Sequence, residues 1–210
     1  MKILAHRGYW NDKIVRNSPK ALRTALEKGY GFESDVRDYK EKLVISHNIA
    51  DSSSQEAEEV FRWLEEFGDK YCFAINIKAD GLKDILAFYL EKYNITNYFV
   101  FDMSVPQMVE FREMGLRFFT RQSEVETIPV MYDDAAGVWI DGFGSVDWIT
   151  EELLNAHIQN NKHVCLVSPD LHGKANYREF WDKLKKFKLD FDKVILCTDY
   201  PDEAKEFFYG

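Results

Sequence analysis

At 210 residues the chain suits one domain and is long enough to bury a sizeable core. Its 46% hydrophobic and 30% charged residues are ordinary for a globular protein. A net charge of −9 argues against a nucleic-acid backbone or an anionic membrane surface as the main partner, so a small phosphate-bearing substrate would need a local positive centre, either a bound cation or placed Arg and Lys residues.

Short apolar runs alternate with longer amphipathic stretches from end to end. Lys2–Ala5, at the start, is strand-length. Ser18–Lys28 follows as a helix, opened by Asn17-Ser18-Pro19, where a side-chain acceptor precedes a proline already fixed in helical φ. Gly31–Val36 is a strand, and a polar turn then leads into Leu43–Ser46 and His47, a hairpin-like extension with no room for a helix. After it come a helix over Ser53–Phe67, a strand over Tyr71–Ile77, a helix over Leu82–Lys92, a strand over Asn97–Phe101 and a helix over Val105–Met114. The remainder reads as strands over Leu116–Thr120, Gly137–Ile140, Lys162–Val167 and Lys193–Cys197, each followed by a helix: Glu124–Asp133, Asp147–Asn160, Asn176–Phe187 and Asp202–Phe208. Gly29 and Gly115 sit where helices stop.

Strands alternating with helices imply βαβ units and a parallel sheet. Eight such units close most simply into a compact (β/α)8 TIM barrel, a single α/β domain over residues 1–210. An open doubly wound sheet would carry a G-x-G-x-x-G turn after its first strand, and His6-Arg7-Gly8 is not one. The apolar start before His6 is too short for a signal-peptide core, and no stretch approaches membrane-spanning length. Cys72, Cys165 and Cys197 each lie in an apolar run with no zinc spacing, which predicts buried thiols in a reducing, cytoplasmic setting.

In such a barrel the functional residues sit at the C-terminal ends of the strands. Here those ends are polar: His6-Arg7, Glu33 and Asp35, Asn76 and Lys78, Asp102, Arg121, Asp141, Ser168 and Asp199, with His47-Asn48 ending the extension. Glu33 and Asp35 are two apart and share a face. Two close carboxylates repel, so one stays protonated unless a cation sits between them; this pattern predicts a site for Mg²⁺ or Ca²⁺, with the Asn76 carbonyl as a further oxygen. Imidazole titrates near neutrality. His6 and His47 are therefore candidates to take a proton from an attacking oxygen and to supply one to the leaving oxygen. Arg7 and Lys78 are candidates to stabilise charge on the non-bridging phosphoryl oxygens. Asp141 reads as a substrate contact or an alternative metal ligand, and equally as a structural turn; His157, His163 and His172 show no metal spacing and are assigned no function.

His6-Arg7-Gly8, then Asn17 opening a helix, Gly31-Phe32-Glu33-Ser34-Asp35-Val36 and Val44-Ile45-Ser46-His47, with Thr198-Asp199-Tyr200-Pro201 near the other end, resemble the glycerophosphodiester phosphodiesterase family. The resemblance implies a barrel that hydrolyses glycerophosphodiesters to an alcohol and glycerol 3-phosphate with a divalent cation. It makes His6 and His47 the acid/base pair, Arg7 and Lys78 the substrate-binding cations, and Glu33 and Asp35 metal ligands. Asn76 stands where the family has a third metal carboxylate, Val15-Arg16-Asn17-Ser18 replaces its Pro-Glu-Asn-Thr, and about two dozen residues between His47 and the next barrel strand leave room for one helix rather than the family's small inserted subdomain. The mouth is then expected to be more open. Two other functions fit the same residues: a cyclising phosphodiester lyase of the phospholipase type, and a barrel that binds a phospho-ligand without turnover.

Overall fold

The computed structural model describes every residue from Met1 to Gly210. Its elements, in chain order, are β1 (Lys2–His6), α1 (Pro19–Glu27), β2 (Gly31–Tyr39), β3 (Lys42–Ile45), β4 (Gln55–Glu56), α2 (Glu58–Glu66), β5 (Phe73–Ile77), α3 (Lys83–Lys92), β6 (Tyr98–Phe101), α4 (Val105–Glu113), β7 (Phe119–Ser123), β8 (Gly137–Asp141), α5 (Glu151–Gln159), β9 (His163–Val167), α6 (Tyr177–Lys186), β10 (Val194–Thr198) and α7 (Pro201–Tyr209). No helix is long and apolar enough to cross a membrane. The chain divides into two compact units, Ala5–Phe118 and Met1–Leu4 with Phe119–Gly210.

In the Ala5–Phe118 unit, β2, β5 and β6 run parallel, with Asp35 opposite Asn76 and Asn76 opposite Phe101. From Val36 to Tyr39, β2 pairs with antiparallel β3, Val36 facing Ile45 and Tyr39 facing Lys42, the expected hairpin-like extension. Helices α1, α2 and α3 bury Leu22 and Leu26, Phe61 and Leu64, and Leu86 and Leu90 respectively. Phe32, Phe73, Phe61 and Tyr89 form a chain of ring contacts, each between 4.9 and 5.8 Å.

In the Phe119–Gly210 unit, β7, β8, β9 and β10 are parallel in that order. Every residue of β8 and β10, and all of β9 after His163, is buried because both faces of a parallel sheet are covered. Val138, Ile140, Val164, Leu166, Val194 and Leu196 pack with Leu154 of α5 and Trp181 and Leu184 of α6.

One expected helix is not formed. Residues 124–133 are a turn-rich segment, because side chains at the end of β7 take the backbone groups a helix would use. Ser123 Oγ accepts from Val125 N and Glu126 N, Gln122 Nε2 donates to the Thr127 carbonyl, and Thr120 Oγ1 donates to that of Val130. Pro129 removes one more donor. The amide orientation of Gln122 leaves its Oε1 to accept from His157 Nε2 at 2.8 Å, so His157 Nδ1 accepts from the Tyr132 hydroxyl at 2.9 Å. Burial holds the His157 pKa below its ordinary value, in keeping with a neutral ring. Two helices begin several residues later than the sequence suggested: α5 is capped by Thr150, and residues 55–56 pair with β3 before α2 starts.

Candidate active site

His6 ends β1, and the chain reverses at once. Arg7 and Gly8 both take left-handed backbone angles, φ 56° and 81°, which only glycine adopts at little cost. The turn runs against α1: Tyr9 N donates to the Ala21 carbonyl at 2.8 Å, and a Cβ on Gly8 would stand 2.6 Å from the Ala21 carbonyl carbon. Gly8→Ala is therefore expected to lower unfolding stability by about 2 kcal/mol or more in urea titration; a loss under about 0.5 kcal/mol would show that the turn can relax.

This reversal aims the Arg7 backbone N–H at Glu33 Oε2, 3.1 Å away, while His6 Nε2 lies 3.8 Å from the same oxygen. Glu33 and Asp35 are 1% and 0% exposed. Arg7 Nε is 3.2 Å from Asp35 Oδ2, and Lys78 Nζ is 3.4 Å from Asp35 Oδ1 and 3.8 Å from Asp102 Oδ2. Burial first, and then the Asp35 charge, push the Glu33 pKa up to about 7 against the opposing pull of His6, Arg7 and Lys78.

Three buried oxygens here accept no hydrogen bond: Glu33 Oε1, Asp35 Oδ1 and Asn76 Oδ1. Lys78 lies near the second of them without hydrogen-bond alignment. Orphaned buried acceptors cost free energy. A set of three oxygens, two of them carboxylate, is the donor chemistry of a hard divalent cation. The residues expected to hold a metal are thus the ones whose oxygens are left unsatisfied, and they fit that group.

Direct contacts gather His6, Arg7, Glu33, Asp35 and Lys78; the β2–β5 register sets Asn76 level with Asp35. His47 is reached differently. The β2–β3 ladder returns the chain to Asp35, whose carbonyl accepts from Ser46 N at 3.0 Å, and His47 follows, exposed, with Nδ1 3.0 Å from Asn48 Oδ1. Arg37 and Ser46 both donate to the Asn48 carbonyl and fix the loop behind it.

Asn17 has a role the sequence did not disclose. Ser18, not Asn17, caps α1, its Oγ accepting from Ala21 N. Asn17, at φ 58°, donates from Nδ2 to Asp35 Oδ2 at 2.8 Å and accepts from Ser34 Oγ at 2.8 Å. It positions the Asp35 carboxylate. The signal was present in principle: with a serine adjacent to take the cap, the amide was spare.

In the other unit, Asp170 Oδ2 accepts from Thr198 Oγ1 and Asp199 N, and Trp181 Nε1 donates to Ser168 Oγ, so Ser168 and Asp170 tie the strand ends to one another and to α6. Arg121 pairs with Glu126. Asp141 pairs with His172.

No protein-family model matches the chain, and no curated protein matches its sequence. Its structure is similar to that of a phosphodiesterase from Oleispira antarctica in complex with the product sn-glycerol-3-phosphate, with a TM-score of 0.72, 14% identity, and 100% of this chain and 97% of that one covered. It is similar to a glycerophosphodiester phosphodiesterase from Parabacteroides distasonis, with a TM-score of 0.68, 15% identity and coverage of 99% and 96%. The corresponding enzyme from Agrobacterium tumefaciens gives a TM-score of 0.66 at 16% identity, covering 100% and 99%. The chain has the fold of these structures, the expected (β/α)8 barrel.

Proposed function

We propose that the chain is a metal-assisted phosphodiester hydrolase acting on glycerophosphodiesters or a related small diester. The observation that carries this reading is the trio of buried, unsatisfied oxygens of Glu33, Asp35 and Asn76 beside His6, Arg7 and Lys78, in a fold shared with phosphodiesterases. A Mg²⁺ or Ca²⁺ ion held by those oxygens would polarise a phosphoryl oxygen as a Lewis acid.

The remaining chemistry belongs to side chains. Arg7 and Lys78 orient the diester through its non-bridging oxygens and offset their charge. One of His6 and His47 takes the proton of the attacking water as its oxygen bonds to phosphorus; the other donates a proton to the alcohol oxygen as the P–O bond to it breaks. Asn17 holds Asp35 in the orientation this requires. The products are an alcohol and a phosphomonoester, glycerol 3-phosphate where the diester is a glycerophosphodiester. Buried thiols at Cys72, Cys165 and Cys197 support a cytoplasmic setting.

The test is turnover of bis(p-nitrophenyl) phosphate and of glycerophosphocholine, with Mg²⁺, Ca²⁺ or EDTA, followed by ³¹P NMR. Hydrolysis abolished by EDTA and giving an open monoester is expected. A persistent cyclic phosphate would favour the cyclising lyase instead, and no turnover with either cation would leave a barrel that binds a phospho-ligand.

A further inference from the structure

Asp141 is the last residue of β8, the end at which parallel-strand folds place working side chains. Its Oδ1 lies 2.6 Å from Nε2 of His172, a residue of the 3-10 turn that follows β9. The Phe143 ring meets the imidazole edge-on, 5.4 Å between centroids and 61° between planes. The Asp141 carboxylate raises the His172 pKa.

The loop that carries Phe143 is clamped from both sides. Glu124 accepts from the backbone N–H groups of Phe143 and Gly144. Lys174 donates its ammonium to the carbonyls of Gly142, Phe143 and Gly144, at 3.1, 2.8 and 3.0 Å. A Cβ on Gly142 would sit 2.7 Å from Val146 Cγ1 and 2.8 Å from the Ser145 carbonyl oxygen, so the turn is tight as well as clamped. This is heavy reinforcement for a surface loop, and it holds Phe143, Asp141 and His172 as a rigid set before any ligand arrives.

Each charge in the cluster is answered locally: Asp141 by His172, Lys174 by three carbonyls, Glu124 by two amides. With His172 protonated, the two acids and two cations sum to zero formal charge, so the cluster has no net charge for an ion to pair with. What remains uncommitted is one carboxylate oxygen of Asp141, an acceptor, the second ring nitrogen of His172, a donor in the imidazolium, and a Phe143 ring that is 45% exposed. A neutral ligand with several hydroxyls and a flat C–H face satisfies all three at once, because hydroxyls both donate and accept and the C–H face stacks on the ring.

We propose that Asp141, His172 and Phe143 form a binding site for a sugar ring. The site is independent of the phosphodiesterase reading and is tested without any activity. In the full chain, with imidazole resonances assigned through His172→Gln, titration with methyl glucoside is expected to shift the His172 signals saturably in the millimolar range. Phe143→Ala, a change at an exposed side chain, is expected to weaken that binding about fivefold while leaving amide dispersion intact. Glycerol, which lacks a ring face, is expected to bind more weakly, and inorganic phosphate not to shift these signals. Glycerol binding as tight as the glucoside, a response to phosphate alone, indifference to Phe143→Ala, or no shift with glucoside up to roughly 0.1 M would each overturn the proposal.

Discussion

Replacing His6 by alanine is expected to lower kcat on a chromogenic phosphodiester by about a hundredfold to ten-thousandfold, with KM changed far less. The ring is buried, it lies 3.8 Å from Glu33 Oε2, and the adjoining Arg7 amide donates to that same oxygen. A proton carrier in that place acts in the transition state, so its loss falls on kcat. His47→Ala is expected to act in the same direction with a different stability signature. His47 is exposed and its ring hydrogen-bonds to Asn48, so its removal should leave thermal stability within about 0.5 kcal/mol. Removing the His6 ring should cost more, since it opens a cavity beside a buried carboxylate. Activity indifferent to both substitutions would end the two-imidazole mechanism.

The second large effect concerns the cation and its competition with a proton. With Glu33 raised to about 7, the metal-free protein binds a proton there that the unfolded chain releases near 4.5. Stability from this group is full below that lower value and is lost as pH rises through about 7, by about 3 kcal/mol at most. A divalent ion takes the proton's place. Its affinity is therefore expected to climb about tenfold per pH unit up to neutrality and to level off above it, and the thermal upshift from Mg²⁺ or Ca²⁺ should be larger at alkaline than at acid pH. Asp35→Asn should abolish the upshift, removing the carboxylate that faces Arg7 and leaving Lys78 only the more distant Asp102. Asn76→Glu adds a charged oxygen ligand on β5 and should tighten the ion by about tenfold. Calorimetry showing unchanged affinity in that variant would mean that strand β5 does not reach the ion.

What the sequence disclosed and what it hid divide along physical lines. Glu33 and Asp35 were legible because a strand alternates its side chains without regard to the rest of the fold, and Asn76 and Lys78 were legible by the same rule. Their unsatisfied oxygens were not, since that depends on how Arg7, Lys78 and Asn17 share out contacts from three distant stretches of chain. Asn17 reads as part of a helix start because it stands in Asn17-Ser18-Pro19; in the structure Ser18 alone caps the helix and the Asn17 amide holds Asp35. Residues 124–133 depart from the expected helix for a related reason. Local pattern favoured a helix, but Gln122 and Ser123, belonging to the preceding strand, claim its backbone. His172 had no sequence spacing to mark it, because its partner lies at the end of β8, 31 residues away in the chain.

That segment after β7 has its conformation stored outside itself. A helix in its position would carry its own instructions in every residue; here they reside in Thr120, Gln122, Ser123 and a neutral His157 on α5. The residues that protrude, Val125 and Ile128 at 75% and 82% exposed, are left without structural duty. These two side chains can be rewritten by mutation while the scaffold stands, which opens this surface to evolutionary change and to engineering.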